Sequence, residues 1–308
     1  METDNCEICS SPDYAERYQL TDYLLENDQV HTTLVRCLNC GLIYQNPRLY
    51  IQEIEKHYPP EYDSFQSEDS DCGNLGSRIS KFGLSKRRQF VSSLKNGGKL
   101  LDVGCATGNF LHEMQSTPGW DLFGIEINEH AANIAQRKYA LNVFLGEIEE
   151  ANYPEDFFDV ITLWDVLEHL PNPKSTLNEI HRVLKENGRL VLRVPNGGSW
   201  DAKLFGKFWF GLDAPRHYYV FNQQTIRNLL EMSGFQLTHI NCSIGSSIAL
   251  CMNMRFLMAA KKIPEDTRNL VIRIVCHPVF KFIALPFTFI FDQLLLGSFL
   301  TLAAGKRS

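Results

Sequence analysis

A glycine-containing turn between a strand and a helix constrains the fold of this chain more than any other feature. The string Asp102-Val-Gly-Cys-Ala-Thr-Gly108 follows an apolar run that begins at residue 99, and it leads into a helical pattern from Asn109. Glycines let a backbone come close to a ligand, and the start of a helix offers free N–H donors. At the carboxyl edge of an α/β sheet, this arrangement forms a ligand site. The sequence therefore predicts an α/β fold with a nucleotide-type site at this turn.

Short β-branched runs alternate with helical patterns over residues 77–242, which indicates βαβ units and a mostly parallel sheet. The predicted strands cover residues 99–103, 121–127, 142–145, 158–163, 189–194 and 235–240. The helix predicted over 174–184 is expected to end at Gly188, in the position that takes a positive φ.

Two residues of the turn exclude a dinucleotide cofactor. A dinucleotide fingerprint starting at Gly104 needs glycine at positions 106 and 109, where this chain has Ala106 and Asn109. The remaining pattern, Asp-x-Gly-x-Ala-x-Gly, resembles the first motif of class I S-adenosylmethionine-dependent methyltransferases. Ala106 is the one departure, because the middle residue of that motif is usually glycine, and a methyl group is small enough to leave the site intact.

The resemblance extends over about residues 95–240. Glu126 ends the second predicted strand, and residues 157–173 and 180–192 look like the fourth-strand motif and the next helix and strand of the family. The resemblance implies S-adenosylmethionine as cofactor and a Rossmann-like seven-stranded sheet, mostly parallel, with an antiparallel last strand at 298–304. The cofactor-binding residues that it implies are Asp102, Gly104, Ala106, Gly108, Glu126, Ile127, Glu147, Ile148, Trp164 and Asp165.

Two histidines are the candidate general bases for methyl transfer. His169 follows the fourth predicted strand, and His217 lies in the 195–221 loop after the fifth. A base assists if the acceptor is a hydroxyl or an acidic C–H group, whereas the structural alternative is a histidine that only holds its loop in place. The loop is rich in aromatic residues and looks like a lid or a wall of the acceptor pocket.

A metal-assisted reaction is an alternative. Asp165, Glu168, His169 and His217 resemble the divalent-metal set of small-RNA 2′-O-methyltransferases, with Asp165 in place of the first Glu. A metal held there would bind acceptor hydroxyls and lower their pKa. A rival from another class is a non-catalytic scaffold that binds the cofactor while the N-terminal module recruits a partner.

Four cysteines near the N-terminus predict a structural zinc site. Cys6 and Cys9, and then Cys37 and Cys40, form two Cys-x-x-Cys pairs that can close a tetrahedral thiolate site. A redox pair or unpaired thiols are the alternatives. Residues 37–48 and 57–63 resemble the N-terminal module of bacterial methyltransferases that act on sugars, surface glycans and related metabolites. We therefore predict a zinc-ribbon-like module at 1–62, a linker at 63–76 and a methyltransferase domain at 77–308.

The C-terminal part is apolar and basic. From residue 255 to 308 the chain has eight Lys/Arg and three Asp/Glu, a net +5, which leaves −11 for the rest of a chain whose total is −6. Pro278, Lys281, Pro286 and Asp292 interrupt the apolar run, so a membrane span is not expected. Residues 243–297 are predicted as an apolar insertion or lid, and 271–297 as a peripheral membrane contact, with a dimer surface as the alternative.

The expected location and partners follow from the remaining features. No basic and apolar leader is visible at the N-terminus, so a cytoplasmic protein is expected, with its membrane contact at the inner face. The modest acidity disfavours a nucleic-acid partner. The predicted acceptor is a small molecule, a sugar or glycan, or a lipid-linked compound.

Overall fold

The computed structural model describes residues 5–58, 73–242 and 246–307 of the chain. Within them, the strands are β1 (Tyr14–Asp22), β2 (Asn27–Cys37), β3 (Ile43–Gln45), β4 (Gly98–Val103), β5 (Trp120–Glu126), β6 (Asn142–Leu145), β7 (Phe158–Trp164), β8 (Leu184–Pro195), β9 (Tyr219–Val220), β10 (Phe235–Asn241) and β11 (Phe299–Lys306). The helices are α1 (Ile51–Ile54), α2 (Gly73–Leu94), α3 (Asn109–Gln115), α4 (Glu129–Tyr139), α5 (Pro173–Val183), α6 (Trp200–Phe205), α7 (Gln223–Met232), α8 (Ser246–Ala260), α9 (Glu265–Cys276) and α10 (Pro278–Gln293).

The larger sheet has seven strands in the order β10-β11-β8-β7-β4-β5-β6. Strand β4 pairs in parallel with β5 and β7, while β11 runs antiparallel between β8 and β10. Leu100 and Leu101 of β4 point to opposite faces and are both fully buried, as expected of a parallel strand covered by helices on both sides. This topology confirms the predicted Rossmann-like fold and its antiparallel last strand.

The parallel strands β4, β5, β7 and β8 all end at one edge of the sheet, where the predicted site lies. Helix α3 begins directly after the turn that follows β4, and Gly108 is its N-cap residue. Helix α4 follows β5, and the side chain of Asn128 caps it by accepting from Ala131 N at 2.9 Å. Strand ends and helix starts therefore converge on the turn.

The smaller sheet joins the N-terminal module to the rest of the chain. Its order is β1-β2-β3-β9, and all its neighbours are antiparallel. Strand β9 comes from the loop after β8, and it pairs Tyr219 with Tyr44 and Val220 with Ile43. The domain limits 1–62 and 77–308 stay a prediction, but the two parts share a sheet.

The helix end predicted at Gly188 is wrong. Helix α5 ends at Val183, Leu184 is already extended (φ −76°, ψ 137°), and Gly188 lies within β8 without a positive φ. A Cβ at Gly188 would lie 2.7 Å from the side chain of Leu184, so glycine is needed there for space and not for its φ. Residues 63–72 of the predicted linker lie outside the described residues, and 73–76 form the start of α2.

Helices α8, α9 and α10 occupy most of the predicted insertion 243–297, between β10 and β11. Helix α8 packs on the core, where the Asn253 side chain accepts from Phe210 N at 2.8 Å and donates to Asp201 at 2.9 Å. Among the described residues, no helix has the length and apolar character needed to cross a membrane.

Candidate active site

The turn after β4 is held in a conformation that glycine favours. Gly104 (φ 70°), Ala106 (φ 47°) and Gly108 (φ 81°) all have left-handed backbones. A Cβ at Gly104 would come within 2.6 Å of Val166, and one at Gly108 within 2.5 Å of Leu141. Ala106 holds its methyl group in this conformation at an energetic cost. The turn thus packs so closely against Val166 and Leu141 that a side chain at position 104 or 108 would clash with them.

Two buried carboxylates flank the turn. Glu126, 5% exposed, accepts from Ala106 N and Asn128 N, each at 2.8 Å. Burial raises the pKa of Glu126, and these N–H donors partly offset the rise. Asp102 accepts from Thr162 Oγ1 at 2.6 Å, and its burial raises its pKa to about 7. The first carboxylate is fixed by the backbone, and the second changes its charge near neutral pH.

Three further residues predicted to bind the cofactor, Ile127, Glu147 and Ile148, differ in their exposure. Ile127 is 73% exposed, an unusual state for a large apolar side chain beside a binding turn. Glu147 is also exposed, and burial together with the charges of Glu149 and Glu150 raises its pKa. Ile148 is buried in the core. Of these three residues, Ile127 is the one that offers open apolar surface beside Glu126.

Asp165 is engaged by two arginines. Arg193 Nε donates to Asp165 Oδ1 at 2.8 Å, a second Arg193 nitrogen bonds Oδ2, and Arg87 Nη2 lies 3.3 Å from Oδ2. The Arg87 guanidinium also lies 4.9 Å above the Trp164 ring. Burial acts to raise the pKa of Asp165, but the two arginines outweigh it and hold that pKa below its usual range. Asp165 is thus an ion-pair partner of two arginines, and its membership of the metal set stays a prediction.

The other three members of that set lie together. One ligand atom from each of Glu168, His169 and His217 lies within 4.8 Å of the others. Burial lowers the pKa of both histidines, so both are neutral near pH 7, while burial and the Asp165 charge raise the pKa of Glu168. The Tyr58 hydroxyl, from the N-terminal module, is 2.8 Å from His169 Nδ1. The cluster combines two bases and a carboxyl group beside the strand end.

The aromatic residues of the 195–221 loop are mostly packed inside the protein. Trp209, Phe210, Tyr218 and Tyr219 are buried, the first two in a cluster that includes Leu34 of β2. These four side chains lie inside the protein and not on its surface, and the role of the loop as a lid or a wall of the acceptor pocket stays a prediction.

A buried arginine joins the N-terminal module to the site. Arg216, fully buried, donates two hydrogen bonds each to Asp22 of β1 and to Asp213. Gln45 Nε2 donates to the His217 carbonyl at 2.8 Å. Five residues around the site were missed at the level of sequence: Arg216, Asp22, Tyr58, Arg87 and Arg193. Of these five, Arg193 was the one that the sequence could have indicated, because it is a basic residue within the apolar part of β8.

The four cysteines form a compact cluster. Cys6 Sγ lies 3.4 Å from Cys40 Sγ, and Cys9 Sγ lies 3.5 Å from Cys37 Sγ. All four sulfurs lie within 4.8 Å of one another, close to the roughly 3.8 Å between sulfurs around a tetrahedral zinc with bonds of about 2.3 Å. Gly41 takes φ 79° after the second pair, as such a turn needs. The donor set fits zinc.

A family model described as a methyltransferase domain matches residues 78–240. The chain belongs to this methyltransferase family. The family predicted from the sequence motifs is thereby confirmed. The chain is 30% identical over 115 residues to the demethylmenaquinone methyltransferase of Symbiobacterium thermophilum, covering 34% of this chain and 46% of that protein.

Two further comparisons show what this chain is similar to. It is 30% identical over 131 residues to the mitochondrial ubiquinone biosynthesis O-methyltransferase of Schizosaccharomyces pombe, covering 38% of this chain and 47% of that protein. It thus spans about half the length of these curated relatives. A SAM-dependent methyltransferase structure from Archaeoglobus fulgidus matches with a TM-score of 0.50 at 18% identity, over 75% of this chain and 98% of that one, which shows the fold.

Proposed function

We propose that this methyltransferase moves a methyl group from S-adenosylmethionine to an oxygen of a small-molecule acceptor. One observation carries the proposal. The turn Gly104–Gly108 follows β4, and the neutral imidazoles of His169 and His217 follow its neighbours β7 and β8, at the same edge of the sheet. The cofactor supplies a methyl group already activated on a sulfonium, so the protein mainly aligns the reactants and excludes water.

The names of the relatives support a small-molecule acceptor, and one of them specifies methylation on oxygen. One is named as an O-methyltransferase of ubiquinone biosynthesis and another as a demethylmenaquinone methyltransferase. These names favour a hydroxylated ring compound, and they give no specific support to the sugar or glycan acceptor expected from the N-terminal motif.

The cofactor would be held by the two carboxylates that flank the turn. Glu126 keeps free lone pairs beyond its two backbone donors, so it can accept from ribose hydroxyls. Asp102 is suited to the ammonium group of the methionine part, because a cation favours its charged form. Ile127 offers apolar surface to the adenine ring.

The acceptor side has two candidate chemistries. His169 or His217 can take the hydroxyl proton directly, since both are neutral near pH 7. The second candidate is metal-assisted transfer, favoured by the proximity of the Glu168 carboxyl to both rings. In each case the acceptor oxygen would approach the methyl group from the side of the 195–221 loop.

Calorimetry with S-adenosylmethionine tests the cofactor assignment. Wild-type protein should bind it, and Glu126→Ala should weaken binding at least about tenfold, because it removes charge-assisted hydrogen bonds to the ribose. Glu129→Ala, which removes an exposed acid three residues along the chain, is the matched control and should leave the affinity unchanged. No binding by the wild type at millimolar cofactor would refute the assignment. Binding without methyl transfer to any of a panel of catechols would favour the scaffold rival.

The C-terminal helices support a contact with lipid. Ile283, Phe287 and Phe289 of α10 are exposed by 63%, 65% and 63%, and further large apolar side chains are exposed over residues 270–294. A face of this kind is rare on a monomer that contacts water alone. We infer that α9 and α10 lie on a membrane surface and give access to a lipid-linked acceptor.

Basic side chains border this apolar face. Arg273 is exposed on α9, and Lys203 is exposed on α6, whose Trp200 stacks on Phe291 of α10 at 5.3 Å. Cations beside an interfacial helix favour anionic lipid. The protein should therefore float with anionic vesicles and less with neutral ones, and Phe287→Asp should abolish flotation. A concentration-dependent dimer without flotation would instead identify a second copy as the occupant.

The cysteine cluster is proposed to hold one structural zinc ion. Its four thiolates fill a tetrahedral site, which leaves no position open for a substrate. The zinc would stabilise the smaller sheet, because Cys6 and Cys37 belong to the same hydrophobic core cluster as Tyr44 and Leu167.

A further inference from the structure

One residue of the N-terminal module holds three backbone carbonyls of the 195–221 loop. Gln45 Nε2 donates to the Pro215 carbonyl at 2.6 Å and to the His217 carbonyl at 2.8 Å. The backbone N–H of Gln45 donates to the Tyr218 carbonyl at 2.9 Å. Gln45 is only 3% exposed, so these hydrogen bonds lie inside the protein. Because a buried carbonyl is costly to leave unpaired, this part of the loop depends on Gln45 for its conformation.

The strand that carries Gln45 is placed by the second cysteine pair. Strand β2 ends at Cys37, and β3 begins at Ile43, shortly after Cys40. Between the two strands, Cys37 N donates to the Leu42 carbonyl at 2.9 Å, and Gly41 N donates to the Cys37 carbonyl at 3.1 Å. Since β3 has only three residues, the turn made by this cysteine pair sets its position.

The stability of that turn is expected to depend on zinc. The Cys40 Sγ lies 3.4 Å from the Sγ of Cys6, so the metal site joins the start of the chain to the hairpin of β2 and β3. Modules below about 70–80 residues rarely gain enough stability from a hydrophobic core alone. Where the ligands come together only in the folded state, the free energy of metal binding becomes free energy of folding. The position of Gln45 is therefore linked to zinc binding.

The cofactor turn is held by the larger sheet instead. Ala106 N donates to Glu126 of β5 at 2.8 Å, and the Asp102 carboxylate accepts from Thr162 of β7 at 2.6 Å. These contacts involve strands that belong to the larger sheet. A change in the N-terminal module should therefore reach the loop and leave the cofactor turn as it is.

We propose that the N-terminal module is a zinc-dependent clamp on the loop segment 211–221, with Gln45 as its positioning residue. When zinc is lost, β3 loosens and Gln45 no longer holds the three carbonyls. The pairing of Arg216 with Asp22 of β1 belongs to the same clamp, and so does the Tyr58 hydroxyl, 2.8 Å from His169 Nδ1. Zinc would thus regulate the acceptor side separately from cofactor binding. That this segment borders the acceptor rests on the proposed function, whereas the clamp does not.

Hydrogen exchange of the full-length protein, followed by mass spectrometry, tests the clamp before and after a chelator removes the zinc. Removal should speed exchange in segment 211–221 at least about tenfold, which corresponds to the net loss of about one hydrogen bond. The segment should respond as a unit, because local opening exposes neighbouring amides together. Exchange of residues 100–108 should stay unchanged. The affinity for S-adenosylmethionine, measured by calorimetry on the same samples, should also stay unchanged.

Gln45→Met separates the clamp from the folding of the module. Methionine fills a similar volume and keeps the β3 backbone and all four cysteines, so the variant should retain its zinc. It lacks the Nε2 donor, so segment 211–221 should exchange faster than in wild type. Gln136→Met is the matched control, because Gln136 also donates to a backbone carbonyl, that of Val143 at 2.9 Å. It should leave the exchange of segment 211–221 unchanged.

Each outcome decides the proposal. Equal exchange of segment 211–221 with and without zinc, or in wild type and Gln45→Met, would overturn it. Exchange that rises to the same extent in residues 100–108 would also overturn it, because zinc would then stabilise the whole chain and not the loop. A wild type that shows the clamp but binds no S-adenosylmethionine would refute the proposed function and leave the clamp standing.

Discussion

Replacing Arg216 with methionine should lower the free energy of unfolding by about 3–5 kcal/mol. The Arg216 guanidinium is fully buried, and its Nη2 lies 2.7 Å from Asp22 Oδ1 and 2.6 Å from Asp213 Oδ1. Its other two nitrogens bond the second oxygens of the same carboxylates, at 2.8 Å and 3.0 Å. Without the arginine, two buried carboxylates lose their counter-charge, and breaking a buried pair costs about 3–5 kcal/mol.

Urea unfolding followed by tryptophan fluorescence measures this loss. Arg216→Lys should lower the free energy of unfolding less than Arg216→Met, because lysine keeps the positive charge. It should still be less stable than wild type, because lysine lacks the planar guanidinium that bonds both carboxylates. Changing Asp22 and Asp213 to asparagine together with Arg216→Met should recover part of the loss, since no unpaired charge remains. Lys262→Met removes the exposed pair with Asp28 and should leave the unfolding curve unchanged. A loss below about 1 kcal/mol for Arg216→Met would refute the reasoning.

Three further predictions follow from the site. Burial raises the pKa of Asp102 to about 7, so its carboxyl becomes charged as the pH rises through neutrality. If it meets the cofactor ammonium, calorimetric affinity should rise from about pH 6 to about pH 8, and Asp102→Asn should flatten the profile; a wild-type profile that is already flat would contradict this role. Ala106→Gly removes the cost of a left-handed alanine in the folded protein, roughly 1–2 kcal/mol. It also raises the conformational entropy that is lost on folding, which costs about 0.5–1 kcal/mol. It should raise the thermal midpoint slightly, and a marked fall would show that the methyl group is needed. Cys37→Ser should lose the bound zinc and lower the thermal midpoint, whereas Cys251→Ser should keep it; unchanged zinc content in the first variant would refute the assignment of a four-thiolate zinc site.

The sheet could be predicted from the sequence because its signals are local. The central strands of the larger sheet contain short apolar runs. The glycines at 104 and 108 indicate the left-handed backbone of the turn. The three-residue cluster was also predictable, because Glu168 and His169 stand at the end of a strand.

The remaining contacts were hidden because they join distant parts of the chain. Asp22 and Arg216 are 194 residues apart, and nothing near either one marks its partner. The ion pairs of Asp165 were hidden for the same reason, because Arg87 and Arg193 approach it from two other elements. The composition of the aromatic loop likewise does not record that Trp209 and Phe210 pack against Leu20 and Leu34 of the smaller sheet.

The pairing of β3 with β9 has a consequence for how this protein can be recombined. Because Tyr219 and Val220 pair only with the N-terminal module among the described residues, deleting that module would leave them as an unpaired edge. A chimera that exchanges acceptor preference between relatives would have to carry residues 5–58 and the segment around 213–220 together. The unit of exchange is thus discontinuous in the chain, although it is continuous in space.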